Sequence, residues 1–116
     1  MKIVRVYTGE DGESRFQDIE IELRDCGPIG RISQGMQATG IAFRETDADY
    51  NLDFHCAPRR QFVINLDAAV EIEVGDGSKR VLQPGDILLA EDTSGRGHIS
   101  RAIDGKARRS IFVTLD

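Results

Sequence analysis

The chain has 116 residues, the size of one domain, and is long enough to bury a core of its own. Its 20 acidic and 15 basic residues give a net charge of −5, and no long basic stripe occurs, which argues against nucleic acid as a partner. No apolar run reaches membrane-spanning length, the N-terminus lacks the apolar part of a signal peptide, and Cys26 and Cys56 are too few for a disulfide framework. We therefore expect one cytoplasmic domain over residues 1–116, with no membrane partner.

Short segments that alternate apolar and polar residues follow one another along the chain, separated by turn signals. In the clearest segment Ile19, Ile21 and Leu23 alternate with acidic residues, as in a strand with one face in water. Asp25–Gln37, with its glycines and proline, is predicted to be a long loop. The predicted strands are Lys2–Thr8, Phe16–Leu23, Ile41–Glu45, Asn51–His55, Gln61–Leu66, Val70–Val74, Lys79–Leu82, Ile87–Ala90, Ile99–Ile103 and Ser110–Leu115.

About ten short, evenly spaced strands without a convincing amphipathic helix are typical of a β-sandwich or β-barrel. The sequence therefore predicts an all-β domain.

The stretch from His55 to His98 resembles the two sequence motifs of the cupin superfamily. The tripeptide HCA at 55–57 stands at the family's H-x-H, and Gln61 stands at its Glu, followed by an apolar strand. PGD at 84–86 and the apolar strand after it match the second motif, and His98 falls where that motif has its His. The resemblance implies a cupin-type double-stranded β-helix, a jelly-roll barrel of two antiparallel sheets, with both histidines at its mouth.

The sequence departs from the cupin motifs at the positions that matter for metal binding. Ala57 stands at the second His, Gln61 at the Glu, and Ala68 at the glycine that follows. The family typically holds its metal with three His and one Glu, so that only His55 and His98 keep a family ligand. The resemblance therefore supports the fold more strongly than any activity.

His55 and Gln61 share strand parity and could face one interior, and His98 begins a later strand. These three residues are the candidate metal ligands. The candidate metals are Zn, Fe, Ni, Cu and Mn. Imidazoles suit the first four, but a neutral amide is a weak ligand, so that a divalent metal would be held at low occupancy. The alternative, favoured by the missing carboxylate, is two histidines that line a pocket through hydrogen bonds. Acidic residues that could complete a ligand set, although each is more simply interpreted as a solvated charge, are Glu45, Asp53, Glu91 and Asp92.

Several arginines lie near the predicted barrel mouth. Guanidinium groups bind carboxylate and phosphate through two hydrogen bonds, so that a small anionic ligand is a reasonable expectation. Local ion pairs with the many acidic residues are the simpler alternative. No nucleophile or other catalytic residue is identified. The candidate ligand-binding residues are Arg44, Arg59, Gln61 and Arg96.

The leading functional hypothesis is a small-molecule-binding, cupin-like protein with a weakly held metal. The alternatives are a metal-dependent cupin enzyme of the dioxygenase or isomerase type, and a non-catalytic module that senses an anion or binds a partner protein. A homodimer is also expected, because Phe62, Ile64 and Leu66 would face outwards if Gln61 faces the barrel interior. The chain's own N-terminal strands could cover this face, but cupins often dimerise sheet to sheet, which favours a second copy.

Overall fold

The computed structural model describes residues 1–116 and confirms the all-β prediction: the chain forms strands, a single 3-10 turn and no α-helix. It contains no helix with the length and apolar character needed to cross a membrane. The strands are β1 (Lys2–Thr8), β2 (Ser14–Glu20), β3 (Arg24–Asp25), β4 (Arg31–Ile32), β5 (Gly40–Thr46), β6 (Asn51–His55), β7 (Gln61–Asn65), β8 (Val70–Glu73), β9 (Lys79–Leu82), β10 (Ile87–Glu91), β11 (His98–Ala102) and β12 (Arg108–Thr114).

Two main sheets form a jelly-roll-like arrangement. The larger sheet has the order β2-β1-β10-β7-β12-β5, and the smaller one has the order β6-β11-β8-β9. From β5 onwards the chain passes repeatedly from one sheet to the other, with the β8–β9 hairpin as the only step within a sheet. All ladders are antiparallel except that of β1 with β10, which is parallel.

The core lies between the two sheets. On β8, Val70 and Ile72 point into it and alternate with Glu71 and Glu73, because successive side chains of a strand point to opposite faces. Val6 of β1 is completely buried against this face. The remaining members of the apolar cluster are Ala57, Val74, Leu82, Leu88 and Ala90.

The segment predicted to be a long loop contains a small exposed hairpin. β3 pairs with β4 over two residues, with the 3-10 turn Gly27–Ile29 between them. The backbone N–H of Gly27 donates to a carboxylate oxygen of Asp25 at 2.9 Å, which holds the chain in the turn. Gly27 lies in the left-handed region with φ 72°, where a side chain would be strained. The turn residues seen in the sequence thus close a hairpin rather than leaving an open loop.

The outer face of the large sheet carries two apolar rows that cross β10, β7, β12 and β5. The rows end on the edge strand β5, where Phe43 is 77% exposed and Ile41 is 62% exposed. β2 continues the same sheet beside β1 and is separated from β7 by two strands, so that β2 does not lie across this face. The rows defined by the strand register are Leu89, Phe62, Val113 and Ile41, and Ile87, Ile64, Ile111 and Phe43.

Candidate functional site

A cavity of about 280 Å³ is lined by both main sheets. Of its 18 lining residues, ten are hydrophobic, so a few polar groups face an apolar space, which is the usual composition of a small-molecule site. Its volume is at the lower end for such sites, which points to a small ligand. The polar residues that line it are Arg44, Tyr50, His55, Gln61, Asn65, His98, Ser100 and Arg108.

His55, the last residue of β6, has a fixed ring orientation. Its Nδ1 lies 2.8 Å from the backbone carbonyl oxygen of Asp53. Because a carbonyl only accepts hydrogen bonds, Nδ1 carries the proton and Nε2 carries the lone pair. Burial lowers the pKa of His55 below its usual value, and the hydrogen bond to Asp53 offsets only part of this effect. The ring is therefore mostly neutral at neutral pH.

His98, the first residue of β11, is oriented by a buried carboxylate. Its Nδ1 lies 2.6 Å from Oδ2 of Asp92, which also accepts a hydrogen bond from the hydroxyl of Ser14 at 2.7 Å. Asp92 and Ser14 are completely buried, and His98 is 6% exposed. The expectation of a solvated charge at Asp92 is therefore wrong, because this carboxylate is enclosed and held by two donors. Nε2 has no hydrogen-bond partner in the protein on either His98 or His55.

The two histidines face each other across the β6–β11 ladder. They are register partners, and their ring centroids lie 4.5 Å apart with the planes tilted by 58°. Gly97 permits this approach, because it adopts φ 81° and a side chain there would collide with the backbone carbonyl of His55. The glycine before His98 thus lets the two backbone segments that carry the rings approach each other closely.

Gln61 and Ala57 line the same cavity as the histidines. Gln61 is 7% exposed, and Ala57 is 4% exposed. The structure therefore places His55, Ala57, Gln61 and His98 around one cavity.

These donors fit a tightly held metal poorly. No group of three or more His, Cys, Asp and Glu side chains is placed to hold an ion. Asp92 already accepts from His98 and Ser14, and Asp53 faces His55 through its backbone. Two imidazoles and one amide are fewer strong ligands than the three that catalytic zinc normally has.

Of the three arginines predicted to bind a ligand, the structure brings only Arg44 into the cavity. Arg59 is exposed and does not line it. Arg96 lies with its guanidinium 3.8 Å from the ring centroid of Phe54 and 3.4 Å from a carboxylate oxygen of Glu13, so that local partners hold it outside.

Sequence reasoning missed Arg108, a cavity-lining residue that is 4% exposed. The predicted final strand began at Ser110, whereas β12 begins two residues earlier. The signal was the alternation itself, because Arg108, Ser110 and Phe112 share one strand face. Ser14 was also missed, since nothing near it in the sequence indicates a contact with Asp92.

Comparison with known proteins shows the fold alone. No family model and no curated protein matches this chain. Among solved structures, the chain is similar to SPY1581, a protein of unknown function from Streptococcus pyogenes, with 19% identity and a TM-score of 0.53 over 74% of this chain and 69% of that one. It is also similar to protein NMB1881 from Neisseria meningitidis, with 10% identity and a TM-score of 0.52 over 84% of each chain. At these sequence identities the similarity indicates a shared fold and does not indicate a shared activity.

Proposed function

We propose that this chain is a cupin-type small-molecule-binding protein whose ligand occupies the cavity in contact with His55 and His98. The observation that carries the proposal is the pair of unpartnered Nε2 atoms on rings that line an apolar cavity. Each Nε2 keeps a lone pair that the protein does not use, and a ligand in the cavity can donate a hydrogen bond to it. Each ring is held through Nδ1, so Nε2 is presented in a fixed direction.

The cupin assignment is supported by the positions of the motif residues. His55 and His98 come from the two motifs and are register partners, while Gln61 and Ala57 line the same cavity. The passage of the chain between two sheets also fits a double-stranded β-helix.

A ligand screen tests the proposed cavity site. We expect saturation-transfer NMR with a library of small organic molecules to find ligands of the wild-type protein. A Val63→Trp variant, which places an indole in the cavity, should lose them because the space is filled. The matched control is Val81→Trp, since Val81 is 45% exposed on the smaller sheet and does not line the cavity. Ligands that bind all three proteins equally, or no ligand at all, would contradict the proposal.

We also propose that His55, Gln61 and His98 hold a divalent metal weakly. Both rings carry their proton on Nδ1, hydrogen-bonded to oxygen, which is how metal-binding histidines are commonly held. The neutral amide at position 61 and the lack of a third His, Cys, Asp or Glu ligand imply low occupancy. The same donor set disfavours a metal-dependent enzyme, and we do not propose one.

We further propose a homodimer in which the two apolar rows of the large sheet meet a second copy of this chain. The eight residues of these rows are uncharged, so a two-fold contact brings no like charges together, although the chain has a net charge of −5. Ile41 and Phe43 form the most exposed part of the rows, at 62% and 77%, and neighbouring exposed apolar side chains of this kind often mark an interface.

Light scattering at micromolar concentration tests the dimer. We expect a mass of two chains for the wild type and one chain for Phe43→Asp, because a charge would be placed in the contact. Phe43 is 77% exposed, so the substitution should leave the fold intact. Val81→Asp on the smaller sheet is the control and should remain dimeric. A monomeric wild type, or a dimer indifferent to Phe43→Asp, would count against this interface.

A further inference from the structure

Two arginines occupy neighbouring strands at the cavity wall. Arg44 of β5 pairs in register with Ser110 of β12, and Arg108 pairs with Thr46, so that the two arginines are diagonal neighbours on one face. Diagonal neighbours on adjacent strands are close enough for long side chains such as those of arginine to interact. Tyr50 lies between them, with its ring centroid 5.7 Å from the guanidinium carbon of Arg44 and 5.5 Å from that of Arg108.

Neither guanidinium has an acidic partner in this chain. Nε of Arg44 donates only to the hydroxyl of Ser110, at 3.0 Å, and Nε of Arg108 is buried without any hydrogen-bond partner. The carboxylate of Asp67 acts on Arg108 through its charge, but it is paired with Arg109, whose Nε donates to Oδ2 of Asp67 at 2.6 Å. By contrast, Arg101 on the smaller sheet contacts two glutamates.

Arg108 is buried and Arg44 is half-buried, so both charges lose part of their hydration. Desolvation, followed by the repulsion of Arg44, lowers the pKa of Arg108 to about 10. Desolvation also lowers the pKa of Arg44. Both groups still carry a proton at neutral pH, so one wall of an apolar cavity holds two positive charges. Buried charges are normally paired. In this chain the two guanidinium groups meet only the hydroxyl of Ser110 and the rings of Tyr50 and Phe112, so a counter-charge would come from outside the chain.

We propose that Arg44 and Arg108 form a carboxylate-binding subsite and that the ligand is a small organic acid with an apolar body. This inference rests on the proposed function and names its ligand class. The carboxylate accepts hydrogen bonds from the two guanidinium groups, whose planar arrangement of donors matches it. Aliphatic side chains, Val63, Ile72 and Leu88 among them, surround the apolar body. The histidines contact the ligand at its other polar positions.

A carboxylate suits this subsite better than a phosphate. A phosphate brings up to two charges and three strongly accepting oxygens, which need several donors. Around the arginines, the hydroxyl of Ser110 accepts from Arg44 and keeps its own proton, and a single hydrogen bond joins the hydroxyls of Tyr50 and Ser100, which are 2.7 Å apart. The rest of the cavity wall is mainly apolar, which suits the hydrocarbon body of an organic acid, while the two guanidinium groups satisfy its carboxylate.

Calorimetric titration with hexanoate, and with hexanamide as its uncharged analogue, tests the subsite. We expect hexanoate to bind the wild type about tenfold or more tightly than hexanamide, because hydrogen bonds to charged groups are the stronger ones. Arg108→Met and Arg44→Met should each weaken hexanoate binding by a similar factor and leave hexanamide binding unchanged. Arg59→Met is the matched control, since Arg59 is an exposed arginine outside the cavity, and it should bind hexanoate like the wild type.

Thermal unfolding without ligand distinguishes a structural role of Arg108 from a role in ligand binding. If the arginine serves the ligand, Arg108→Met should melt at or above the wild-type temperature, because an unpaired buried charge is removed. A large loss of stability together with unchanged hexanoate binding would overturn the inference. Equal affinity for hexanoate and hexanamide, or tighter binding of inorganic phosphate, would overturn the carboxylate subsite while leaving the cavity as a binding site. If the library screen finds no cavity ligand and hexanoate also fails to bind, both proposals fall.

Discussion

Replacement of Asp92 by alanine is expected to lower the free energy of unfolding by about 3 kcal/mol or more. Asp92 is completely buried and accepts hydrogen bonds from His98 and Ser14, which are themselves buried. Its removal leaves two buried donors without an acceptor, and each unsatisfied group costs about 1–3 kcal/mol. Because the chain has no tryptophan, urea unfolding is best followed by far-ultraviolet circular dichroism.

Asp53→Ala is the control for this substitution. Asp53 is exposed, and its side chain accepts only from the neighbouring backbone N–H of Phe54, so that the expected loss is under about 1 kcal/mol. Nitrogen NMR of the imidazoles adds a second readout, because loss of Asp92 frees Nδ1 of His98 and should change its tautomer balance. Equal losses for the two variants, with an unchanged His98 signal, would show that Asp92 does not hold this ring.

The double substitution Ala57→His and Gln61→Glu is expected to raise the affinity for Zn²⁺ or Ni²⁺ by about a hundredfold or more. Both positions line the cavity with His55 and His98, so the variant would offer three imidazoles and one carboxylate. The wild type should be purified with less than one metal per chain, and the variant with close to one. Elemental analysis of the purified proteins and calorimetric titration with Zn²⁺ measure the two quantities.

The source of the gain is checked by adding His98→Ala to the double variant. This change removes one of the four ligands and should return the metal affinity most of the way towards that of the wild type. Full metal occupancy in a His55→Ala, His98→Ala protein would place the ion elsewhere. No gain in the double variant would mean that the four side chains do not converge on one point.

The sequence by itself was sufficient to predict the ten longer strands and the two histidines of the site, but not every strand end: β2, predicted as Phe16–Leu23, spans Ser14–Glu20. Alternation along β8 and the turn at Gly75–Gly77 depend only on near neighbours in the chain, and so they can be read without the fold. The cupin motif spacing selected His55 and His98, and the structure places them in register with their rings 4.5 Å apart. Strand parity likewise sufficed to put Gln61 beside them in the cavity.

Only the tertiary structure decided which charged groups serve the cavity. Ser14 and Asp92 are 78 residues apart in sequence, and their contact exists because β1 pairs in parallel with β10 and carries the β1–β2 hairpin alongside. Arg96 and Arg108 have the same side chain, yet Glu13 and Phe54 hold the first at the surface while β12 turns the second inwards. The physical reason is that burial and partner choice depend on strand pairing between distant segments, whereas alternation is a property of neighbours.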